Sequence, residues 1–573
     1  MGIFNSQAQI IALSPVFATE NDTVVITYDA TQGNSALVNL GPPDMYAHTG
    51  VITDKSTSNA DWRYVQGNWG TDHAKVKMTY LGKNIYQIKF HIRSFYSVPS
   101  GETVKQLAFV FRNRDGSKVG RSADGTDIYV PLFGVGTFVK FTTPNEEKTI
   151  FDLNDSLKLN AIASQQGLIE IFNDGVLLDS AIGGSLAYIL KLTQSGNHVL
   201  KCKLSTSSAT VYDSFSYIVN PTNTIANLPN NMIDGVNFIN DSTVILSLYA
   251  PNKKYVYAIG DFNNWKADIN YYMNKTPDGN RWWIELKNLT PNFPYGLQYL
   301  VDGTKRIADP YSTLVLDASN DPYINSATFS NLKPYPSTKT TGIVGVFETG
   351  TQAYDWKATN YQRPDSKKLN IYELHLRDFI AAHNYKVLAD TLQYLKRLGI
   401  NAIELMPVNE FEGNNSWGYN TSFHMALDKY YGKAIDFKKF IDLCHQNEIA
   451  VILDVVFNHA FSQNSLCQLY WDDVNFQPAS DNPWLNVTAK HPFNVGYDFN
   501  HESAATQYYM DHILAYWLKE FKVDGFRFDL SKGFTQKNTG SDVGAWGNYD
   551  ASRIALLKRM KNELISSQGN NKP

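Results

Sequence analysis

The hydrophobic pattern of this 573-residue chain changes period near Leu369, and that change limits the fold more than any other feature. Beyond it, short β-rich runs alternate with stripes of helical spacing. Asn370–Leu376 reads as a strand, and Leu388, Leu392 and Leu395 then recur at i, i+4 and i+7, one face of a helix. Asn401–Met406 is the next strand, closed by Pro407, and Phe437, Phe440, Ile441 and Cys444 form the next stripe. Ala450–Val456 is almost wholly apolar, as a strand buried on both faces should be. Met510, Ile513, Leu514, Trp517 and Leu518 line a third helix, Val523–Leu530 is a fourth strand, and Leu557, Met560 and Leu564 mark a fourth helix. Strand and helix alternating four times predict a parallel sheet with helices packed outside it.

The fourth strand carries the most pointed chemistry. Side chains alternate along a strand, so Arg527 and Asp529 share one face and Phe526 and Phe528 the other. A guanidinium beside a carboxylate favours the ionised acid, which a carboxylate nucleophile requires. The stretch reads as a buried strand, with Gly525 marking a close backbone approach. Glu404, Asp454 with Asn458 and His459, and Arg527 with Asp529 all fall at C-terminal strand ends. A (β/α)8 barrel carries its active site there.

Residues 1 to about 340 follow a different pattern. Val24–Tyr28, Ile85–Phe90 and Leu107–Phe111 are alternating or β-rich runs separated by Gly, Asn and Asp turns. Breaks near Pro131–Gly134 and Asn220–Asn223 predict three β-sandwich modules in series, at 1–134, 135–221 and 222–340, ahead of 341–573. In the first, Trp62 and Trp69 lie in one polar, turn-rich stretch and are candidates for a flat sugar-stacking platform, which makes 1–134 a candidate sugar-binding module. The second reads as an immunoglobulin-like sandwich, with Ala181–Tyr188 and Val211–Val219 as strands.

Composition narrows the partners. A net charge of −4 with 18% charged residues disfavours a nucleic-acid partner. No apolar run reaches the roughly eighteen residues of a membrane span. Three scattered cysteines, Cys202, Cys444 and Cys467, suit neither a disulfide framework nor a metal cluster. Ser6-Gln7-Ala8 looks like the small-residue end of a secretory signal, so a secreted, cell-surface or periplasmic location is expected.

Leu453–His459 and Gly525–Asp529 lie roughly seventy residues apart, each at a strand end. Together they resemble the first two signature regions of the α-amylase family of glycoside hydrolases. Ser416–Asn420 followed by Tyr430-Tyr431-Gly432 is a third match. In 222–340, the order of strands around Gly260-Asp261-Phe262-Asn263-Asn264-Trp265 resembles the β-sandwich, a carbohydrate-binding module, that precedes the barrel in glycogen-branching and debranching enzymes. Trp265 is expected to be structural. The resemblance implies a multidomain chain in which β-sandwich modules precede the first half of a (β/α)8 TIM barrel. It implies Asp529 as nucleophile and Arg527 as the group that holds it ionised. It further implies that His459 hydrogen-bonds the sugar at the cleavage site, that Tyr419 stacks under that sugar, that Asp454 braces the site and that Lys532 meets the sugar on the leaving side.

Asn458 matches a calcium-ligand position in many members, so Ca2+ is the one cofactor the resemblance brings in. Gly533 stands where calcium-dependent members often carry His, and Thr421 stands where the family usually has Pro. The implied activity is retaining cleavage of α-1,4-glucosidic bonds in starch, glycogen or maltooligosaccharides. Two alternatives are an α-1,4-glucan branching or debranching enzyme and a non-catalytic starch-binding protein. The family's general acid is a Glu after the fifth strand, a unit expected to lie outside this chain, so the polypeptide by itself is expected to be inactive or nearly so.

Overall fold

The structure is a computed structural model that describes residues 10–40, 44–122, 125–144, 149–493 and 495–567. Ser6-Gln7-Ala8 lies outside the described residues. The chain divides into two compact units, Met1–Pro221 and Thr222–Pro573.

Within the first unit, two antiparallel sheets share one apolar core. One orders the strands 11–14, 23–29, 85–91 and 79–82; the other orders 63–66, 46–53, 104–112 and 119–120, with 128–131 also on 104–112. Tyr28 from one sheet stacks on Phe111 from the other at 3.9 Å, which is how a sandwich closes. The following segment differs from the expected immunoglobulin-like pair of facing sheets. Its strands join one continuous six-stranded sheet around a separate core that includes Leu159, Ile169, Leu200 and Phe215. The cause is the strand Ser156–Asn173, which pairs with Val176–Lys191 over Ser156–Ile162 and again over Gly167–Asn173. Its other edge serves Val139–Thr143 near one end and Gly196–Ser205 near the other.

The second unit opens with two more antiparallel sheets. Thr243–Tyr249 and Arg281–Leu286 are central in one, and Tyr295–Val301 in the other. Val344–Phe347 completes the second sheet by pairing with Tyr295–Leu297, so this sandwich extends past the expected boundary at residue 340. Trp265 is 2% exposed and its indole N–H donates to Asp261 Oδ1 at 3.1 Å, which is the structural role expected of it.

Four parallel strands follow: β1 (Ile371–Leu374), β2 (Ala402–Leu405), β3 (Ala450–Val455) and β4 (Gly525–Phe528), paired in that order. Helices fill the connections, including α1 (Ala434–Gln446) and α2 (Ala504–Glu520), and α3 (Ala551–Ser567) follows β4. The stripe of Leu388, Leu392 and Leu395 is buried as expected, but its helix is broken at Thr391 into two short ones. One apolar cluster runs from Val244 to Leu564, so sandwich and parallel sheet share a core.

The central strand β3 is buried, whereas β4 is an edge strand and half exposed, contrary to the buried strand expected. A Cβ on Gly525 would meet nothing within 4 Å, so this glycine answers no close backbone approach. Among the described residues, β4 pairs with β3 alone, which leaves its other edge without a strand partner.

Candidate active site

The ends of β3 and β4 bring the predicted charged residues together. Asp454 pairs in register with Arg527. Arg527 Nη1 donates to both carboxylate oxygens of Asp454 at 3.0 Å and to Asp529 Oδ1 at 2.7 Å. One guanidinium nitrogen thus bridges two carboxylates. Burial opposes the charge on Arg527, but its hydrogen bonds to Asp454 and Asp529 win and raise its pKa. Asp529 follows β4 directly, with its N–H donating to Val455 O at 3.0 Å. Leu530 then takes a left-handed φ of 46°, a strained turn that swings the chain away from the carboxylate. Asp529 Oδ2 enters no hydrogen bond among the described residues, and the side chain is 26% exposed.

Asp454 is 0% exposed. Its burial pushes the carboxyl up to about 6, against the pull of hydrogen bonds from Tyr419 and Arg527. The Tyr419 hydroxyl donates to Asp454 Oδ2 at 2.7 Å. Burial, followed by that carboxylate, raises the phenol's own pKa.

His459 is placed differently from the sugar contact expected of it. Nε2 donates to the Tyr419 carbonyl at 2.8 Å, which fixes the tautomer and leaves Nδ1 to accept from Asn458 Nδ2 at 3.2 Å. Both ring nitrogens are taken and the residue is 1% exposed, so His459 positions the Tyr419 loop. Burial lowers its pKa, in keeping with a neutral ring.

Lys532 is exposed, with its ammonium 5.4 Å from the centroid of Trp546. Its carbonyl accepts from Trp546 Nε1 at 3.1 Å and Arg553 Nη1 at 3.0 Å. Trp546 and Arg553 therefore brace the turn after β4. Sequence reasoning missed both, because neither carries a motif and their partner is a backbone carbonyl. Glu404 on β2 is half-buried; burial and then Glu373 raise its pKa, while Arg527 pulls the other way. A buried cluster of Lys429, Glu410, Asp428 and Asp321 was also missed. Lys429 lies next to the recognised Tyr430-Tyr431-Gly432 motif, but Asp321 comes from the preceding sandwich, a long-range pairing that no spacing encodes.

The implied calcium finds little support in the side chains around Asn458. Asn458 Oδ1 is buried without a hydrogen-bond partner, as an oxygen awaiting a cation would be. A Cβ on Gly533, however, would collide with that oxygen and lie 2.8 Å from His491 Nε2, so backbone and imidazole fill the space. His491 Nε2 is held by Asp498 Oδ1 at 3.2 Å, and Asp498 Oδ2 accepts from Asn486 at 2.8 Å. Calcium takes six to eight oxygens. Among the described residues, no group of three or more His, Cys, Asp or Glu side chains is placed to hold a metal ion. The site does not fit calcium, and no chemistry is routed through it.

In the first unit, Trp62 and Trp69 flank His48. The imidazole stacks near Trp62 at 6.0 Å and 26°, and meets Trp69 at 5.3 Å and 83°. The two indoles thus stand steeply inclined to each other on either side of His48, where a flat platform was expected. Trp69 is 48% exposed, and Trp62 donates its N–H to the Tyr129 hydroxyl at 3.3 Å. Their loop is anchored by buried Glu102, which takes Arg63 at 2.7 Å and the Tyr64 hydroxyl at 2.6 Å.

Residues 383–496 match the family model for the catalytic domain of alpha amylase, and residues 11–119 match a domain of unknown function (DUF8578). A 1,4-alpha-glucan branching enzyme of Francisella tularensis subsp. novicida is 27% identical over 355 residues, covering 58% of this chain and 49% of the relative. A branching enzyme of Clostridium perfringens is 26% identical over 352 residues, 58% of this chain and 50% of its own. The chain spans about half the length of these curated relatives. Among solved structures, a putative alpha amylase from Salmonella typhimurium aligns at a TM-score of 0.44 and 22% identity, covering 59% of this chain and 48% of that one. The matched residues 383–496 include β2, β3 and Asp454, while Arg527 on the adjoining β4 and Asp529 directly after it lie beyond the match.

Proposed function

We propose that this chain is the nucleophile-bearing part of a retaining enzyme that cleaves α-1,4-glucosidic bonds in starch- or glycogen-like glucans. The observation that carries the reading is the division of labour at Asp529. One oxygen is tied to Arg527 and the other is free at the open end of the sheet. In the proposed reaction, the free oxygen attacks the anomeric carbon and forms a glycosyl ester. The bond to the leaving oxygen breaks as a carboxylic acid on the opposite side protonates it. Arg527 keeps Asp529 ionised and aimed. Tyr419, held by Asp454 and His459, offers its ring to the sugar, and Lys532 meets the leaving side. The family resemblance puts that acid after a fifth strand, and its proton transfer is typically worth ~10²–10⁴-fold. The isolated chain is therefore proposed to bind glucan and to turn it over barely or not at all.

The second reading is glucan transfer, in which another chain's hydroxyl replaces water in opening the ester. What favours it is that the curated relatives are branching enzymes. Product analysis on amylose with the full-length enzyme separates the two. Short maltooligosaccharides mean hydrolysis, and new α-1,6 linkages mean transfer. Asp529→Asn should abolish turnover in either case and spare glucan binding; full activity in that variant would overturn the nucleophile assignment. The inclined Trp62–Trp69 pair is proposed as a glucan contact of the first unit, tested by retention of Trp69→Ala in amylopectin gels.

A further inference from the structure

A cavity of about 360 Å³ opens in the second unit, lined by Lys305, Arg306, Ile307, Ser462, Gln468, Trp471 and Asp473. Its size falls in the range of small-ligand sites. Its walls come from two parts of the second unit: the short sandwich strand Lys305–Ile307 and the loop that follows His459. A two-stranded ladder ties this loop to the site. His459 pairs with Asp498, Ala460 pairs with Tyr497, and Tyr497 packs edge-on against Trp471 at 5.0 Å.

The chemistry of the lining is specific. Trp471 is half-buried, and its indole N–H enters no hydrogen bond among the described residues. Lys305 Nζ and Asp473 Oδ2 stand 4.0 Å apart, too far for a tight pair, and Asp473 is 81% exposed. Arg306 lines the cavity too, half-buried, with Nη1 donating to Thr340 Oγ1 at 3.2 Å, so cationic donors and one carboxylate acceptor face the same space. A polyol can accept from the donors and donate to Asp473. Phe476, just beyond, has a left-handed φ of 54° and is 76% exposed. An aromatic residue held in that region and shown to solvent is uncommon.

We propose that this cavity is a second carbohydrate site, in which one glucose unit of an α-linked glucan packs on the Trp471 indole. The sugar's hydroxyls are taken by Lys305, Asp473 and the Trp471 N–H, and the chain continues over Phe476. The ligand class rests on the glucan reading above. Sugar rings suit the site because their C–H faces pack on indole while the rim of hydroxyls needs mixed donors and acceptors.

The test is calorimetric titration of the full chain with maltotetraose, using Tyr419→Ala/Trp69→Ala to silence the candidate active site and the first-unit contact. That background should retain one binding event. Adding Trp471→Ala should weaken that event at least tenfold, and adding Asp473→Ala should weaken it severalfold. Asp473 is exposed, so its variant serves even where Trp471→Ala unsettles the packing against Tyr497. Cellotetraose should not compete. Binding unchanged by both additions would overturn the proposal. Binding by the wild type that the background variant abolishes would overturn this site and leave the glucan reading standing. A wild type that binds no maltotetraose would overturn both.

Discussion

Replacing Arg527 with Met should expose what Asp454 costs the fold. Asp454 is fully buried, and Arg527 Nη1 lies 3.0 Å from each of its oxygens. Unit charges about 4 Å apart attract by ~4 kcal/mol at the effective dielectric typical of protein surfaces. Arg527 is 42% exposed, so screening reduces this to roughly 2 kcal/mol. The sign follows from the carboxyl's raised value, about 6 in the fold against 3.8 in the unfolded chain. Ionised Asp454 is disfavoured in the native state, so its contribution falls as pH rises from about 4 to 6. Without Arg527 the folded value rises further, and that window stretches upward. The variant should match the wild type near pH 4.5 and fall behind it by roughly 2 kcal/mol at pH 8. Calorimetric unfolding of the full chain at both pH values reads this directly. Asp454→Asn should remove most of the pH dependence, and the double variant should lose less than the two single losses combined. A deficit in Arg527→Met that is the same at pH 4.5 and pH 8 would refute the buried-charge account.

Further outcomes follow from neighbouring groups. His424 is fully buried, and burial lowers its pKa to about 4 against the backbone bond to Val456; its contribution to stability should be present above pH 6.5 and drain away toward pH 4, by about 3 kcal/mol in all. Acid unfolding of His424→Asn should be correspondingly flatter. Gly533→Ala would drive a methyl into Asn458 and His491, so a loss of ~1–3 kcal/mol is expected, together with a weakened His459–Tyr419 contact seen as poorer glucan binding. Because the Asn458 surroundings do not fit calcium, EDTA should leave the melting temperature of the chain unchanged, and a drop of several degrees would contradict that reading.

The period change near Leu369 was enough to place β1 through β4 and their helices, because burial on one helical face or both strand faces leaves a periodic trace in the residues themselves. The Arg527–Asp529 pair was equally legible, since alternation along a strand is a local rule that fixes a shared face without reference to anything distant. Four features depend on segments meeting in space. The role of His459 turned on the Tyr419 carbonyl, forty residues away, which captured the nitrogen expected to meet sugar. The inclination of Trp62 to Trp69 turned on His48 from a neighbouring strand, and the continuous sheet of the second module on one long strand serving two neighbours. Trp471 and Lys305 approach one cavity across more than 150 residues. A sequence records how each segment wants to be buried; which atoms then satisfy one another is decided only when the segments pack.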